Sequence, residues 1–122
     1  MEVKFVFPGI DIIEIERFER ACKRHPKIVS RLFTEKEIKC VNGNLVSLAA
    51  RFAGKEAVLK SLGTGLRGLN WHDIEILKNE VGEPIVSLSV RAEMIAKVRE
   101  CTSIKVSLSH SKSNATAIAL LY

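Results

Sequence analysis

The sequence predicts an α+β domain, an antiparallel sheet packed on a long helix, on three observations. An apolar, β-branched run fills Val3 to Ile15. From Asn44 to Leu62, apolar residues recur at helical spacing, with Leu45, Leu48, Ala49, Phe52 and Leu59 on one face. Two alternating segments, Ser103 to His110 and Ala115 to Leu121, read as a closing hairpin around Lys112-Ser113-Asn114. Hairpins are mixed with helices here, which disfavours a βαβ parallel sheet. The chain has 122 residues and no repeat, low-complexity segment or evident linker, so residues 1–122 read as one domain.

Taken in order, the first strand covers Val3 to Ile15 and is interrupted at Pro8-Gly9. A short helix follows from Glu16 to Arg24, stopped before Pro26. Thr34 with Glu37 three residues later forms a capping box, so a helix starts near Glu35. The long helix ends at Gly63-Thr64-Gly65, where glycine tolerates the left-handed conformation. His72 to Lys78 alternates as a strand, Val81-Gly82-Glu83-Pro84 is a turn, and Ile85 to Ser89 is the partner strand. A helix from Val90 to Arg99 leads into the closing hairpin.

Composition narrows the class. Hydrophobic residues make up 47% and charged residues 27%, as in ordinary globular chains. Nineteen basic against 14 acidic residues give a formal charge of +5, which favours anionic partners without choosing among them. Cys22, Cys40 and Cys101 are scattered and odd in number, with no CxxC spacing. They read as free thiols in a reducing compartment, so the cytoplasm is expected. There is no signal-peptide pattern, and no apolar run approaches the ~20 residues of a membrane span.

Two carboxylates stand where a core should not hold them. Glu56 falls inside the apolar arc of the long helix, four residues after Phe52 and three before Leu59. Arg51 and Ser47 lie away from that arc, and Lys55 sits at its edge. Asp11 interrupts Ile10, Ile12 and Ile13 in a strand that reads as buried, and aspartate is a poor strand former. A salt bridge from Glu56 to Lys60 or a turn at Asp11 would explain either residue alone. Together they suggest a shared task, because a carboxylate on the core side must be paired, protonated or bound to a metal. Magnesium suits such a pair, since it takes one or two protein carboxylates and completes its shell with water and phosphate oxygens.

Basic and polar groups accompany the pair. Lys55 and Lys60 bracket Glu56. Ile104, Val106, Leu108 and His110 share one strand face, and Ser109-His110-Ser111 gathers donors at the strand end, suited to phosphate. Arg17, Arg20 and Arg24 recur at helical spacing, while Phe18 and Cys22 face elsewhere. Such a stripe would steer an acidic protein partner.

These residues resemble a known family. Gly9-Ile10-Asp11-Ile12, Arg51-Phe52-Ala53-Gly54-Lys55-Glu56-Ala57 with Lys60, Gly63-Thr64-Gly65, and Ser107-Leu108-Ser109-His110-Ser111 look like the 4′-phosphopantetheinyl transferases, in the expected order over nearly the whole chain. The length and ending point to the holo-acyl-carrier-protein synthase branch. The resemblance implies transfer of phosphopantetheine from coenzyme A to a serine of an acyl carrier protein, releasing adenosine 3′,5′-bisphosphate, in fatty acid biosynthesis. It implies magnesium held by Asp11 and Glu56, and a catalytic Lys60 on the leaving side. Coenzyme A contacts are expected from Arg51, Lys55, Lys60, Gly63, Thr64, Gly65, Ser109 and His110. Arg17, Arg20 and Arg24 are expected to dock the carrier. A homotrimer with sites between subunits is also implied. The proton acceptor stays open between Glu56 and an ordered water. One departure is Phe7-Pro8, where the family often carries Gly-x-Gly-x-Asp; the missing proline donor would alter pairing at the strand start.

A basic nucleic-acid-binding module is the alternative reading. It would account for the charge and the arginine stripe. It leaves the two carboxylates unexplained, and the chain has few aromatics for stacking bases: Trp71, Tyr122 and five phenylalanines. Enzymes of the same family that act on peptide-synthetase carriers are usually two-repeat chains, which this length does not fit. No membrane partner is expected.

Overall fold

The computed structural model describes residues 4–122, so the Val3 end of the first expected strand lies outside the described residues. The elements run β1 (Phe7–Glu14), α1 (Ile15–Arg24), α2 (Lys27–Leu32), α3 (Glu35–Cys40), α4 (Leu45–Leu62), a 3-10 turn (Trp71–Asp73), β2 (Ile74–Lys78), β3 (Pro84–Leu88), α5 (Val90–Val98), β4 (Ile104–His110) and β5 (Asn114–Leu121). The mixed helix and antiparallel sheet architecture is the expected α+β class. The strands form an antiparallel sheet in the order β1-β5-β4 and a separate β2-β3 hairpin.

Helix α4 is the spine. Its start is set by Asn44, whose side chain accepts from the Ser47 N–H at 3.0 Å. Its end is set by Gly63, with φ of 82° in the left-handed region. Between them the helix is buried almost all round, and many of its buried positions are small: Ala49, Ala50, Ala53, Gly54 and Ala57. Ala115, Ala117 and Ala119 of β5 are buried too. Small residues on both sides let the sheet lie close against the helix. The approach is tightest at Gly9 of β1, where a Cβ would collide with the Ala57 carbonyl. The core forms two clusters along α4, one toward Leu62 and β2, the other toward Phe18, Phe33 and Leu48.

Several boundaries differ from the sequence reading. The expected strand at His72 begins instead at Ile74. Asn70 accepts from the His72 N–H at 3.0 Å, and Asp73 accepts from the Asn70 N–H at 2.7 Å, so reciprocal capping folds these residues into a turn. Helix α2 was not expected, because Pro26 reads as a stop; here it is the N-cap. Phe7-Pro8 does not disturb the strand start. Antiparallel register runs unbroken from Phe7 opposite Leu121 to Glu14 opposite Asn114. Ile10 and Ile12 are not buried: they are 64% and 66% exposed, on the sheet face turned away from α4. Asp11 lies on the inward register with Gly9 and Ile13.

Candidate active site

The tight crossing of β1 over α4 creates the site. Two residues past Gly9, the Asp11 side chain comes over the α4 turn that carries Glu56 and Lys60. Lys60 Nζ donates to Asp11 Oδ1 at 3.2 Å and to the Ile10 carbonyl at 2.8 Å. Thr116 of β5 donates its hydroxyl to the Asp11 carbonyl at 2.9 Å, fixing the strand from the other side. Asp11 Oδ2 is buried and has no hydrogen-bond partner among the described residues. A buried carboxylate oxygen left bare is costly, and a cation would satisfy it.

Lys60 therefore turns to Asp11 and not to Glu56. Burial pushes the Glu56 carboxyl above its ordinary range; Asp11 adds to the rise and Lys60 opposes it. Asp11 and Glu56 are thus close enough to repel, as two ligands of one cation would be before it binds. No cluster of three or more His, Cys, Asp or Glu that could hold a metal occurs among the described residues, and Asp11 and Glu56 are the two carboxylates that could serve a cation here. That set fits magnesium, whose remaining positions are filled by water and phosphate oxygens.

Glu56 lies where two clefts meet. One, of about 630 Å³, runs between α1 and α4 and is lined by Ile13, Arg17, Phe18, Leu32 and Phe52 with Glu56. The other, of about 500 Å³, runs along the end of α4 and is lined by Glu56, Lys60, Gly63, Gly65, Leu66 and Trp71. The first is largely apolar with a cation at its rim. The second combines a lysine with two glycines in the left-handed region, Gly63 and Gly65 with φ of 82° and 58°. Thr64 lies between them. A Cβ at Gly63 would also strike the guanidinium of Arg99, which stacks 4.3 Å from the Phe7 ring centroid.

Two expected coenzyme A residues stand elsewhere. Lys55 is not at the edge of α4 but wholly inside the protein, 0% exposed. Its Nζ meets Glu37 Oε1 at 2.6 Å, the Leu32 carbonyl at 2.7 Å and the Trp71 carbonyl at 3.0 Å. An ammonium has three donors, so Lys55 has none left for a ligand and the expected contact is corrected. Burial holds its pKa below the ordinary lysine range, against the opposing pull of Glu37. Arg51, read as lying away from the apolar arc, is also buried. Its guanidinium donates to the Ile76 carbonyl at 3.2 Å and the Ser47 carbonyl at 3.4 Å.

Ser109 and His110 are exposed at the end of β4. They are separated from β1 by the whole of β5, so one chain does not bring them into the clefts beside Glu56. On α1, Ile15, Phe18 and Cys22 are buried and Arg17, Arg20 and Arg24 exposed, as the spacing predicts. Arg20 pairs with Glu16 at 3.3 Å. Arg24 joins His25, Lys27 and Arg31 around a shallow basic hollow. The sequence reading missed Trp71, Phe18 and Phe52 as cleft walls. Phe52 was visible only as a core position, and Trp71 carried no periodic signal.

Comparison with known proteins bears on the family and the fold. Residues 8–119 match the family described as the 4′-phosphopantetheinyl transferase superfamily. The chain is 49% identical over 116 residues to the holo-[acyl-carrier-protein] synthase of Moorella thermoacetica, covering 93% of this chain and 91% of that one. It is 46% identical over 115 residues to the enzyme of Alkaliphilus metalliredigens, covering 92% and 94%. Its fold is similar to that of Helicobacter pylori holo-[acyl-carrier-protein] synthase in complex with coenzyme A, with TM-score 0.85 and 32% identity over 94% of this chain and 99% of the other.

Proposed function

Since the chain belongs to the 4′-phosphopantetheinyl transferase superfamily, we propose that it works as a holo-[acyl-carrier-protein] synthase. It moves 4′-phosphopantetheine from coenzyme A to a serine of an apo acyl carrier protein. The serine oxygen bonds to the phosphorus that bears pantetheine. The bond from that phosphorus to the bridging oxygen breaks, adenosine 3′,5′-bisphosphate leaves, and the hydroxyl proton is given up. The observation that carries the reading is the bare, buried Asp11 Oδ2 beside Lys60 and a Glu56 whose carboxyl is pushed up by burial.

Asp11 and Glu56 would hold magnesium, which when bound neutralises diphosphate charge. Everything else falls to the side chains. Lys60, between Asp11 and the glycine loop, meets the charge that gathers on the leaving phosphate. Gly65 leaves its backbone open, with nothing within 4 Å of where a Cβ would stand, while Gly63 makes room for Arg99. Glu56 borders both clefts, so it or a water held beside it stands where the serine proton is released. Phosphoryl chemistry of this kind depends on positioning and charge neutralisation more than on covalent help from the protein. The apolar cleft with Arg17 at its rim suits the carrier, and the basic residues of α1 suit an acidic one.

The complete site in this proposal lies between copies of the chain in a homotrimer. Two observations support it. Ile10, Ile12, Ile118 and Leu120 leave an apolar patch on the outer face of the sheet, at 64%, 66%, 42% and 39% exposure. Ser109 and His110, the expected phosphate contacts, reach the Glu56 clefts only if a neighbour supplies them. Three free cysteines fit a reducing cytoplasm, and the product would serve fatty acid synthesis.

The test is direct. Purified protein, apo carrier, coenzyme A and magnesium are incubated and the carrier is weighed. The expected result is a carrier heavier by one phosphopantetheine. Unmodified carrier across several bacterial acyl carrier proteins would overturn the reading.

A further inference from the structure

Lys55 has no role in the chemistry above, yet it is the most fully enclosed charge in the site region. An ammonium in the interior is tolerated only when every donor is met. Here each donor meets an oxygen from a different part of the fold. Glu37 comes from α3, Leu32 from the end of α2, and Trp71 from the turn before β2. Glu37 is itself fully engaged. Its Oε1 also accepts from the Thr34 N–H at 3.0 Å, and its Oε2 accepts from the Ile76 N–H at 2.9 Å. Thr34 in turn donates to Glu75 Oε2 at 2.6 Å.

The two carbonyls are telling. Leu32 is a wall of the apolar cleft, and Trp71 is a wall of the glycine-loop cleft. Glu56, the next residue after Lys55, is shared by both. One ammonium thus bonds the main chain of one wall of each cleft and fixes both relative to the helix that carries Glu56. Replacing Lys55 and Glu37 together by uncharged side chains of similar length would fill the same space without leaving a charge buried alone. It would leave both carbonyls unheld.

We propose that Lys55 is a positioning residue for the transfer step, setting the spacing of the two clefts that share Glu56. The proposal rests on the reading of those clefts as the seats of coenzyme A and carrier. A nucleophile and a leaving group must approach the same phosphorus from opposite sides, so a small drift of either wall lowers the rate more than it lowers binding.

The variant to compare with the wild type is Lys55→Met/Glu37→Gln, which removes both charges together, although the Gln amide oxygen can accept from only one of the Thr34 and Ile76 N–H groups. It is expected to keep its circular dichroism and cooperative unfolding. Its kcat is expected to fall by about tenfold or more while the coenzyme A Kd, from calorimetry, stays within about threefold. Trp71, the sole tryptophan, should become more open to acrylamide quenching. A folded variant with wild-type kcat, or one that loses only coenzyme A affinity, overturns the proposal. If the double variant does not fold, Lys55→Arg decides. It keeps the charge but carries a planar fork in place of three radiating donors. A kcat drop of about fivefold or more in folded protein is expected, and an unchanged kcat overturns the proposal. Inactive wild-type protein would instead overturn the transfer reading, and unchanged Trp71 quenching in the variant would then overturn the clamp by itself.

Discussion

At the scale of single residues, Glu56 stands where the fold disfavours its charged form. Its folded pKa lies above its ordinary value of 4.5 because of burial first and Asp11 second. The sign follows from linkage. The cost to stability is absent below the ordinary value and is complete once pH has risen through the raised one. Glu56→Gln should therefore unfold at a higher temperature than wild type at a pH above the raised value, in the absence of metal. The gap should close as pH falls well below the ordinary carboxylate value, where Glu56 is neutral both folded and unfolded. Added magnesium should raise the wild-type melting temperature and leave the variant's nearly unmoved, as calorimetric scans would register. The same variant should lose transfer by about a hundredfold or more; full activity would make Glu56 merely structural. Asp11 and Glu56 were legible in the sequence because each breaks an apolar pattern that a reader can count. Lys55 was not, because its partner Glu37 lies in a different helix and the helical wheel alone placed it at an edge.

At the scale of elements, the site depends on how closely β1 crosses α4. Gly9→Ala would press a methyl group against the Ala57 carbonyl, with the Ala57 carbonyl carbon and the Ser61 nitrogen also within 2.9 Å. These are backbone atoms and cannot swing aside. The expected loss is about 2 kcal/mol or more, read from the urea midpoint. Transfer should fall further than stability does, since the same shift lifts Asp11 away from Lys60 and Glu56. Element type was largely readable, because α4 and the closing hairpin are long and periodic. What escaped was short or set by side-chain caps. Helix α2 has only six residues behind a proline, and the His72 segment alternates like a strand until Asn70 and Asp73 cap it into a turn. The outward direction of Ile10 and Ile12 was misread for a different reason: apolar residues on both faces of a strand look buried on both.

At the scale of the whole molecule, the outer sheet face exposes Ile10, Ile12, Ile118 and Leu120. Ile118 of β5 sits opposite Ile10 of β1 in the register, at the middle of the exposed patch. In the proposed homotrimer, Ile118→Arg should give a monomer in sedimentation velocity where the wild type gives a trimer, without changing the monomer's circular dichroism. Transfer should fall with it, since Ser109 and His110 would no longer reach a neighbouring site. A wild-type monomer with full activity would rule out the interfacial arrangement. This level of organisation is invisible to patterns within one chain, which show that residues are apolar but not what covers them.

Pro8 bears on how such an assembly stops growing. Only one long edge of β1 is paired, with β5; the other is open. Proline is tolerated in a strand where its missing N–H would face away from the ladder. Ile10, two residues on, shares that orientation, and its carbonyl is already taken by Lys60. A passing strand therefore finds one donor missing and one acceptor occupied along this border. Indefinite in-plane growth of the kind that seeds fibrils is blocked there, while the flat apolar face remains open to association. Lys60, by holding the Ile10 carbonyl, thus helps close this border to the addition of a further strand.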